Sequence, residues 1–363
     1  MRRMTDGYRE IGGDGLVRWF AGANTENGFR GSYGDIADEA RLERLYIIKG
    51  GPGTGKSTLM RQAAEAAERA GFTAVRYLCG SDPESLDAVV LDGRIALADG
   101  TAPHPLDMRY PGASSSLVDL SPFWDAGILT RASGEIRELT AGKQGAYREA
   151  YRYLSASGRM EEELLSLAGD CFDRAKAAAF VGRLVKRLRR ERKLGAGGGG
   201  ILRRYSHAVT MRGLWKTDAV TVGTSVRFAV EDAFGTSRLL MPMLAEALAG
   251  VGAGPVCGIR PVGGGIAGIR AGDCAFTVGE AGEGDVPIRM SRFVRREFAE
   301  RGRMRLTERI GAELMTAASD ALSRAADCHF GLEAIYGSAM DYDRMAAYRR
   351  EVTAEIADRL SER

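Results

Sequence analysis

The chain has 363 residues, 45% of them hydrophobic, and 51 basic against 48 acidic side chains give a formal net charge of +3. That length accommodates two domains, or one large domain with an insertion, and the charge is too mild to argue for nucleic acid by itself. The cysteines Cys79, Cys171, Cys257, Cys274 and Cys328 form no CxxC pair, which argues against a zinc site or a disulfide framework and for reduced, buried thiols. No run approaches the roughly 20 apolar residues of a membrane span. Residues 1–16 have arginines but no apolar segment of a secretory leader. A soluble, cytoplasmic protein is therefore expected.

Residues 45–48 form a short apolar run that reads as a strand, ended by Lys49 and a glycine-rich turn. Residues 56–70, rich in Ala, Glu, Arg, Gln and Met, read as a helix stopped by Gly71. Residues 73–79 alternate apolar and polar as a strand does, and residues 94–98 give a second strand ending at Asp99. Strand, loop, helix, strand opens a doubly wound, mainly parallel α/β sheet. After about Gly142 two long helices are expected, over 144–167 and 171–194. The second puts Phe180, Leu184 and Leu188 on one stripe beside Val181 and Val185. Residues 195–200, all glycine except Ala196, read as a flexible linker. More α/β-like sequence runs to about Pro287, then helices, the last with an amphipathic face of Met345, Tyr348, Val352, Ile356 and Leu360. The expected division is 1–142, an α/β domain; 143–200, helices and linker; 201–290, a second α/β domain; and 291–363, a C-terminal helical segment.

The two α/β segments resemble each other. Residues 46–61, YIIKGGPGTGKSTLMR, align without gaps on residues 228–243, FAVEDAFGTSRLLMPM, pairing Gly53 with Gly235, Thr54 with Thr236 and Lys56 with Arg238. Upstream, residues 20–29 resemble 205–214, with Thr25 opposite Thr210; downstream, residues 95–99 resemble 275–279. The three landmarks keep their order at offsets of 205 − 20 = 185, 228 − 46 = 182 and 275 − 95 = 180. Shared order points to a duplication.

Gly50-Gly51-Pro52-Gly53-Thr54-Gly55-Lys56-Ser57 satisfies GxxxxGK[ST], with a buried strand before it and a helix after it. Glycines let successive backbone N–H groups face one phosphate with no Cβ in the way, and the following helix adds its positive end. In such a P-loop Lys56 bridges the β- and γ-phosphates and the Ser57 hydroxyl ligates Mg²⁺, while Thr58 continues the helix. Asp99, closing the next strand, fits the carboxylate that holds Mg²⁺ through water. Gly100 and Thr101 stand where many ATPases carry a water-activating Glu. Candidate bases are Asp82 and Glu84 in the Ser-Asp-Pro-Glu turn, or Asp87; a capping role for Asp82 is the plainer alternative. His104 is a candidate γ-phosphate sensor or an unremarkable loop histidine.

These residues identify a resemblance to the P-loop NTPases. Residues 20–25 (FAGANT), 47–57 (IIKGGPGTGKS), 79–87 (CGSDPESLD) and 98–104 (ADGTAPH) further resemble a group of bacterial ATPases with two tandem P-loop-like halves. The resemblance implies binding of Mg²⁺ with ATP or another nucleoside triphosphate. The second loop departs from the pattern. Asp232, Ala233 and Phe234 replace Gly50, Gly51 and Pro52, Leu239 replaces Ser57, and Gly279 is aligned with Asp99. It is expected not to hold Mg-NTP, and Arg238 is left as a structural residue or an arginine finger toward the first site. Asn24 and Thr25 are expected to serve a turn or, alternatively, to touch base or ribose.

The run 183–193 carries seven basic residues and one acid without interleaved aromatics, which suits a solvated helix end better than a nucleic-acid surface. His207 and His329 have no metal-ligand spacing and stay unassigned. Three functions follow: an Mg²⁺-dependent ATPase that drives a conformational switch, a P-loop phosphotransferase acting on a small molecule, and a nucleotide-sensing interaction module. No membrane is implied, and a protein partner or self-association is not legible.

Overall fold

The computed structural model describes residues 8–362. Its first half contains β1 (Arg9–Ile11), β2 (Arg18–Phe20), β3 (Gly22–Thr25), β4 (Gly28–Gly31), α1 (Tyr33–Ile36), β5 (Arg44–Lys49), α2 (Lys56–Arg69), β6 (Ala74–Leu78), β7 (Leu86–Leu91), β8 (Ile95–Asp99), β9 (Ser115–Asp119), α3 (Ala126–Arg131), α4 (Ser133–Cys171) and α5 (Arg174–Arg190). The second contains β10 (Leu202–Tyr205), β11 (His207–Thr210), β12 (Gly213–Thr217), β13 (Val226–Glu231), α6 (Ser237–Gly250), β14 (Val256–Ile259), β15 (Ile266–Ala271), β16 (Cys274–Val278), β17 (Val286–Arg289), α7 (Arg301–Ser338) and α8 (Tyr342–Ser361).

Twelve strands form one mixed sheet in the order β17-β13-β16-β15-β14-β10-β2-β6-β7-β8-β5-β9. Outward from the middle, one side runs β2, β6, β7, β8, β5, β9 and the other β10, β14, β15, β16, β13, β17, the same sequence of ranks. The sides meet in an antiparallel pairing of Tyr205 with Phe20, so one sheet joins the two expected α/β domains. Six of its eleven junctions are parallel and five antiparallel. The expected strands occur within a residue or two. β7, which the sequence reading missed, accounts for two of the antiparallel junctions. It turns into β8 through Asp92, Gly93 and Arg94, the first two at positive φ (49° and 68°), with Arg94 N–H donating to Leu91 O at 3.0 Å.

Side chains alternate across the sheet as strand geometry demands. Tyr46 and Ile48 face a core built with α2 and α8, whereas Leu45 and Ile47 face Tyr33, Ile36, Ala219 and Val220. That second core includes Ala275 from the other half, so it lines one continuous face of the sheet. The four packing helices α2, α5, α6 and α8 therefore share the opposite face, where a doubly wound sheet would place helices on both. The short α1 and irregular segments cover the remaining face because 31–43 and 218–225 are too short and polar for long helices.

Helix partners are exchanged between halves. The α5 stripe Val181, Leu184, Val185 and Leu188 is buried as expected, but against Leu240, Leu244 and Leu248 of α6. The α8 face Val352, Ile356 and Leu360 is buried against Leu59, Met60 and Ala63 of α2, at the other end of the sequence. The long helices α4 and α7 lie antiparallel, with Gly142 against Cys328, Glu149 paired with Arg324, Ser157 bonded to Gly311, and Glu163 paired with Arg303. α4 begins at Ser133, so the boundary expected at 142 falls inside it.

Within the exposed stretch 195–200, Gly195 and Gly197 lie against backbone of the second half, whereas Gly198 and Gly200 have open space beside them. A Cβ on Gly197 would come within 3.0 Å of Gly254 Cα, one on Gly254 would collide with Gly197, and one on Gly272 would collide with Gly195. The glycines serve close approach of backbones.

Candidate functional site

The loop 50–57 joins β5 to α2 at the edge of the parallel β8-β5-β9 group. Gly53 and Gly55 hold φ of 69° and 85°, a backbone that only glycine takes without strain. Gly55 is the residue before the first turn of α2, so that helix points its free N–H groups into the loop. The Thr54 hydroxyl donates to Gly51 O at 2.8 Å and clasps the curl. Lys56 Nζ donates to Gly50 O at 2.9 Å and Gly51 O at 2.7 Å, and lies 3.6 Å from Asp99 Oδ2. Asp99 is brought there by the β5–β8 ladder, which sets it opposite Ile48. Its Oδ1 accepts from Thr101 N–H at 2.9 Å and from the Thr101 hydroxyl at 2.6 Å. Ser57 Oγ accepts from Leu86 N–H at 3.0 Å, tying the helix start to β7, and Thr58 is exposed on the first turn. Pro52 completes the curl between Gly51 and Gly53.

Asp82 and Glu84 do not come to the loop's Lys56–Asp99 pair as free bases. Asp82 is buried; it accepts from Arg212 Nε at 2.8 Å and from the Ser85 hydroxyl at 3.0 Å. Glu84 is more exposed and pairs with Arg212 Nη2 at 3.0 Å. Arg212 sits between β11 and β12, so this acidic turn fastens one half to the other. Asp87 is buried behind Asp99, accepting from the Tyr33 hydroxyl at 2.7 Å, and burial holds its carboxyl above the usual carboxylate range. His104 stacks on Tyr33 with ring centroids 4.1 Å apart, its Nδ1 3.1 Å from Asp99 O and its Nε2 3.8 Å from Asp87 Oδ2. Both ring nitrogens are thus occupied beneath the site. Asn24 donates to Gly80 O and Val209 O and accepts from Tyr151. Thr25 donates to Gly28 O at 2.7 Å as Thr210 donates to Gly213 O at 2.8 Å, the turn role in both hairpins.

What the sequence reading missed arrives from the long helices. Glu333 on α7 lies over the loop: a Cβ on Gly53 would sit 2.9 Å from Glu333 O, and one on Gly51 would sit 2.6 Å from the Tyr336 ring. One turn back, His329 Nε2 is 3.5 Å from Glu333 Oε1, and His329 Nδ1 is 3.1 Å from Lys143 Nζ on α4. Burial, with Lys143 beside it, pushes His329 down to about 4, and burial also lowers Lys143. Burial raises Glu333, reinforced by Asp82, while Lys143 and Lys56 pull it the other way. At neutral pH His329 is thereby an uncharged acceptor for Lys143. The i, i+4 spacing of His329 and Glu333 was visible, but the pairing of α7 with α4 that gives it meaning was not.

The second loop has the same curl with a different filling. Gly235 has φ of 71°, and Thr236 donates to Ala233 O at 2.6 Å as Thr54 does to Gly51. Asp232 turns its carboxylate inward, Oδ2 accepting from Gly235 N–H at 2.9 Å and Oδ1 from Ser237 N–H at 2.7 Å. The loop's amides are occupied by an anion of its own. Arg238 is committed to Glu161 of α4, at 2.6 and 2.9 Å, rather than reaching toward the first loop as a finger. By the sheet register Ile48 lies opposite Asp99 and Val230 opposite Val278, so Val278, one residue before the aligned Gly279, holds the position of Asp99. An open cleft of about 430 Å³ lies beside this loop, lined by Glu231, Asp232, Glu280 and Arg289 among others.

Among the described residues no helix is long and apolar enough to cross a membrane, and no group of three or more His, Cys, Asp or Glu converges as a metal cage. No family model, curated protein or solved structure matches the chain.

Proposed function

We propose that the chain is a duplicated P-loop NTPase whose first loop binds a nucleoside triphosphate with Mg²⁺ and hydrolyses it, and whose second loop is a structural copy. Carrying this is the placement of Lys56 Nζ 3.6 Å from Asp99 Oδ2 at the mouth of a loop curled by positive-φ glycines onto a helix start. The matching strand ranks of the two halves, and the matching roles of Thr25 with Thr210 and Thr54 with Thr236, support duplication.

The residues present fit the group. Gly50 and Gly51 carbonyls now take the Lys56 ammonium, which is free to exchange them for phosphate oxygens, and the amides of 53–57 supply donors. Ser57 and Asp99 offer two hard oxygen ligands, a number that suits Mg²⁺, which keeps waters and takes the rest from phosphate. Bound there, Mg²⁺ would neutralise charge that develops on the phosphate oxygens. ATP is the default substrate, since nothing resembling NKxD marks guanine.

Glu333 supplies the carboxylate missing after Asp99. Its raised pKa makes it a better proton acceptor than an ordinary glutamate, and His329 with Lys143 fixes its surroundings. Because Glu333 belongs to the second half, the site becomes complete only when α7 lies on the loop. Hydrolysis would then be coupled to the seating of the helices, which is the conformational switch expected of this class.

The test is nucleotide binding and phosphate release by the wild type and by Lys56→Ala and Glu333→Gln. Lys56→Ala should lose Mg-ATP binding at least about tenfold. Glu333→Gln should keep binding and lose turnover by about 10²–10⁴-fold. Absence of binding of both Mg-ATP and Mg-GTP by the wild type would refute the proposal.

A further inference from the structure

We infer that Arg349, on the exchanged helix α8, is a phosphate-contacting catalytic arginine of the first loop. This deepens the P-loop reading and rests on it.

The observations start from Gly55, the residue that precedes Lys56 at the start of α2. A Cβ placed there would meet Met345 Cε at 3.1 Å and Arg349 Nη1 at 3.3 Å. The guanidinium is therefore at the backbone that presents the loop's N–H groups, not on the outer surface of α8. The α8 face that carries it is otherwise apolar where it packs on α2, with Met345, Val352, Ile356 and Leu360 all buried. Arginine is a poor choice for such a stripe unless it has an anion to meet, because burying it without one is costly.

No carboxylate meets it. Among the described residues Arg349 makes no ion pair, and its Nε is buried with no hydrogen-bond partner, as is the hydroxyl of Thr353 one turn further along. Three arginines packed between the halves meet carboxylates: Arg238 meets Glu161, Arg212 meets Asp82 and Glu84, and Arg204, whose own Nε is likewise unpartnered, meets Asp35 through Nη1. An orphaned buried donor calls for a partner outside the protein's own groups. A triphosphate on the loop is an anion at the right place. A guanidinium beside it can donate two bonds in parallel, which an ammonium cannot.

The arrangement also answers what the second half contributes. Arg238, aligned with Lys56, is spent on Glu161. Arg349 comes instead from the end of the second half, delivered by the helix exchange, so the halves complete one site between them. Contact with phosphate would tie α8 to the nucleotide, and loss of the γ-phosphate would loosen that tie.

The experiment uses the full chain with Mg-ATP and Mg-ADP. Arg349→Met keeps a flexible apolar stem over Gly55 and removes the charge; Arg349→Lys keeps the charge without the fork. Thermal melts without nucleotide, nucleotide-induced shifts in Tm, affinities and phosphate release are measured for each, beside the wild type and Lys56→Ala. The expected result for Arg349→Met is a nucleotide-free Tm no lower than wild type, a Mg-ATP affinity about tenfold weaker, and turnover reduced about 10³-fold, within the range for arginines that stabilise phosphoryl transfer. Arg349→Lys should recover part of the affinity and little of the turnover.

A wild-type Mg-ATP shift that persists undiminished in Arg349→Met, with unchanged turnover, overturns the assignment while leaving the loop's function intact. A lowered nucleotide-free Tm with unchanged affinity and turnover shows a packing role and also overturns it. If neither the wild type nor Lys56→Ala responds to nucleotide, the P-loop reading itself fails, and this inference with it.

Discussion

Replacing Asp232 with alanine would open the second loop. The carboxylate accepts from Gly235 N–H at 2.9 Å and Ser237 N–H at 2.7 Å. Hydrogen bonds to a charged group contribute about 1.5–3 kcal/mol each, and truncating a cap costs about 0.5–2 kcal/mol where water reaches the freed amides. The loop is half-buried, so the loss expected lies between these, at about 2–3 kcal/mol. An unfolding entropy of about 2.1 cal/mol/K per residue gives about 0.8 kcal/mol/K for 363 residues, and hence a fall in Tm of about 3–4 °C. The exposed amides should then accept an inorganic anion. Melts of wild type and Asp232→Ala in sodium sulfate and in sodium chloride at equal ionic strength measure both effects. Sulfate should restore Tm of the variant beyond any rise in the wild type. An unchanged Tm, or an equal response to sulfate in both proteins, would refute the idea that Asp232 stands in for a bound anion.

Three further outcomes are expected. Ile356→Ala removes a fully buried side chain from the core under α8 and should cost about 2–5 kcal/mol in urea unfolding, whereas Glu351→Ala, on the exposed side of the same helix, should stay within about 0.5 kcal/mol. Glu161→Ala strands the Arg238 guanidinium, only 14% exposed, and should cost about 3–5 kcal/mol; adding Arg238→Met should restore much of the loss. His329, held at about 4 when folded, leaves the unfolded chain to take up the proton first as pH falls. Stability should therefore drop between about pH 6.5 and about 4, and His329→Gln should flatten that limb in melts across pH.

Local rules carried the sequence reading a long way. The strand, glycine loop and helix over 44–69 were legible because loop chemistry and periodicity coincide there. The Thr25–Thr210 match foretold two identical turns because a hydroxyl that closes a T-x-x-G hairpin is a local device. β7 was missed because Asp82 and Glu84 drew its flank into a presumed helix start, although Leu-Asp-Ala-Val-Val-Leu before Asp-Gly reads as half a hairpin. Within 195–200, glycine content alone did not show that Gly195 and Gly197 approach Gly272 and Gly254. Lys143, His329, Glu333 and Arg349 could not be placed at all. Their meaning depends on which long helix lies on which, and the amphipathic faces of α5 and α8 specify that they are buried but not by whom.

The exchange of α5 and α8 has a consequence for synthesis. The sheet strands of the first half are complete at Asp119, but the side chains that seal its core under α2 continue to Leu360, 360 − 119 = 241 residues later. At about 5–20 residues per second, a ribosome needs roughly 12–48 s to deliver them. For that time the core around α2 lacks Val352, Ile356 and Leu360, and the nascent chain displays apolar surface that a holdase chaperone would recognise. The half that carries the first glycine loop is thus the first to be made and among the last to be completed.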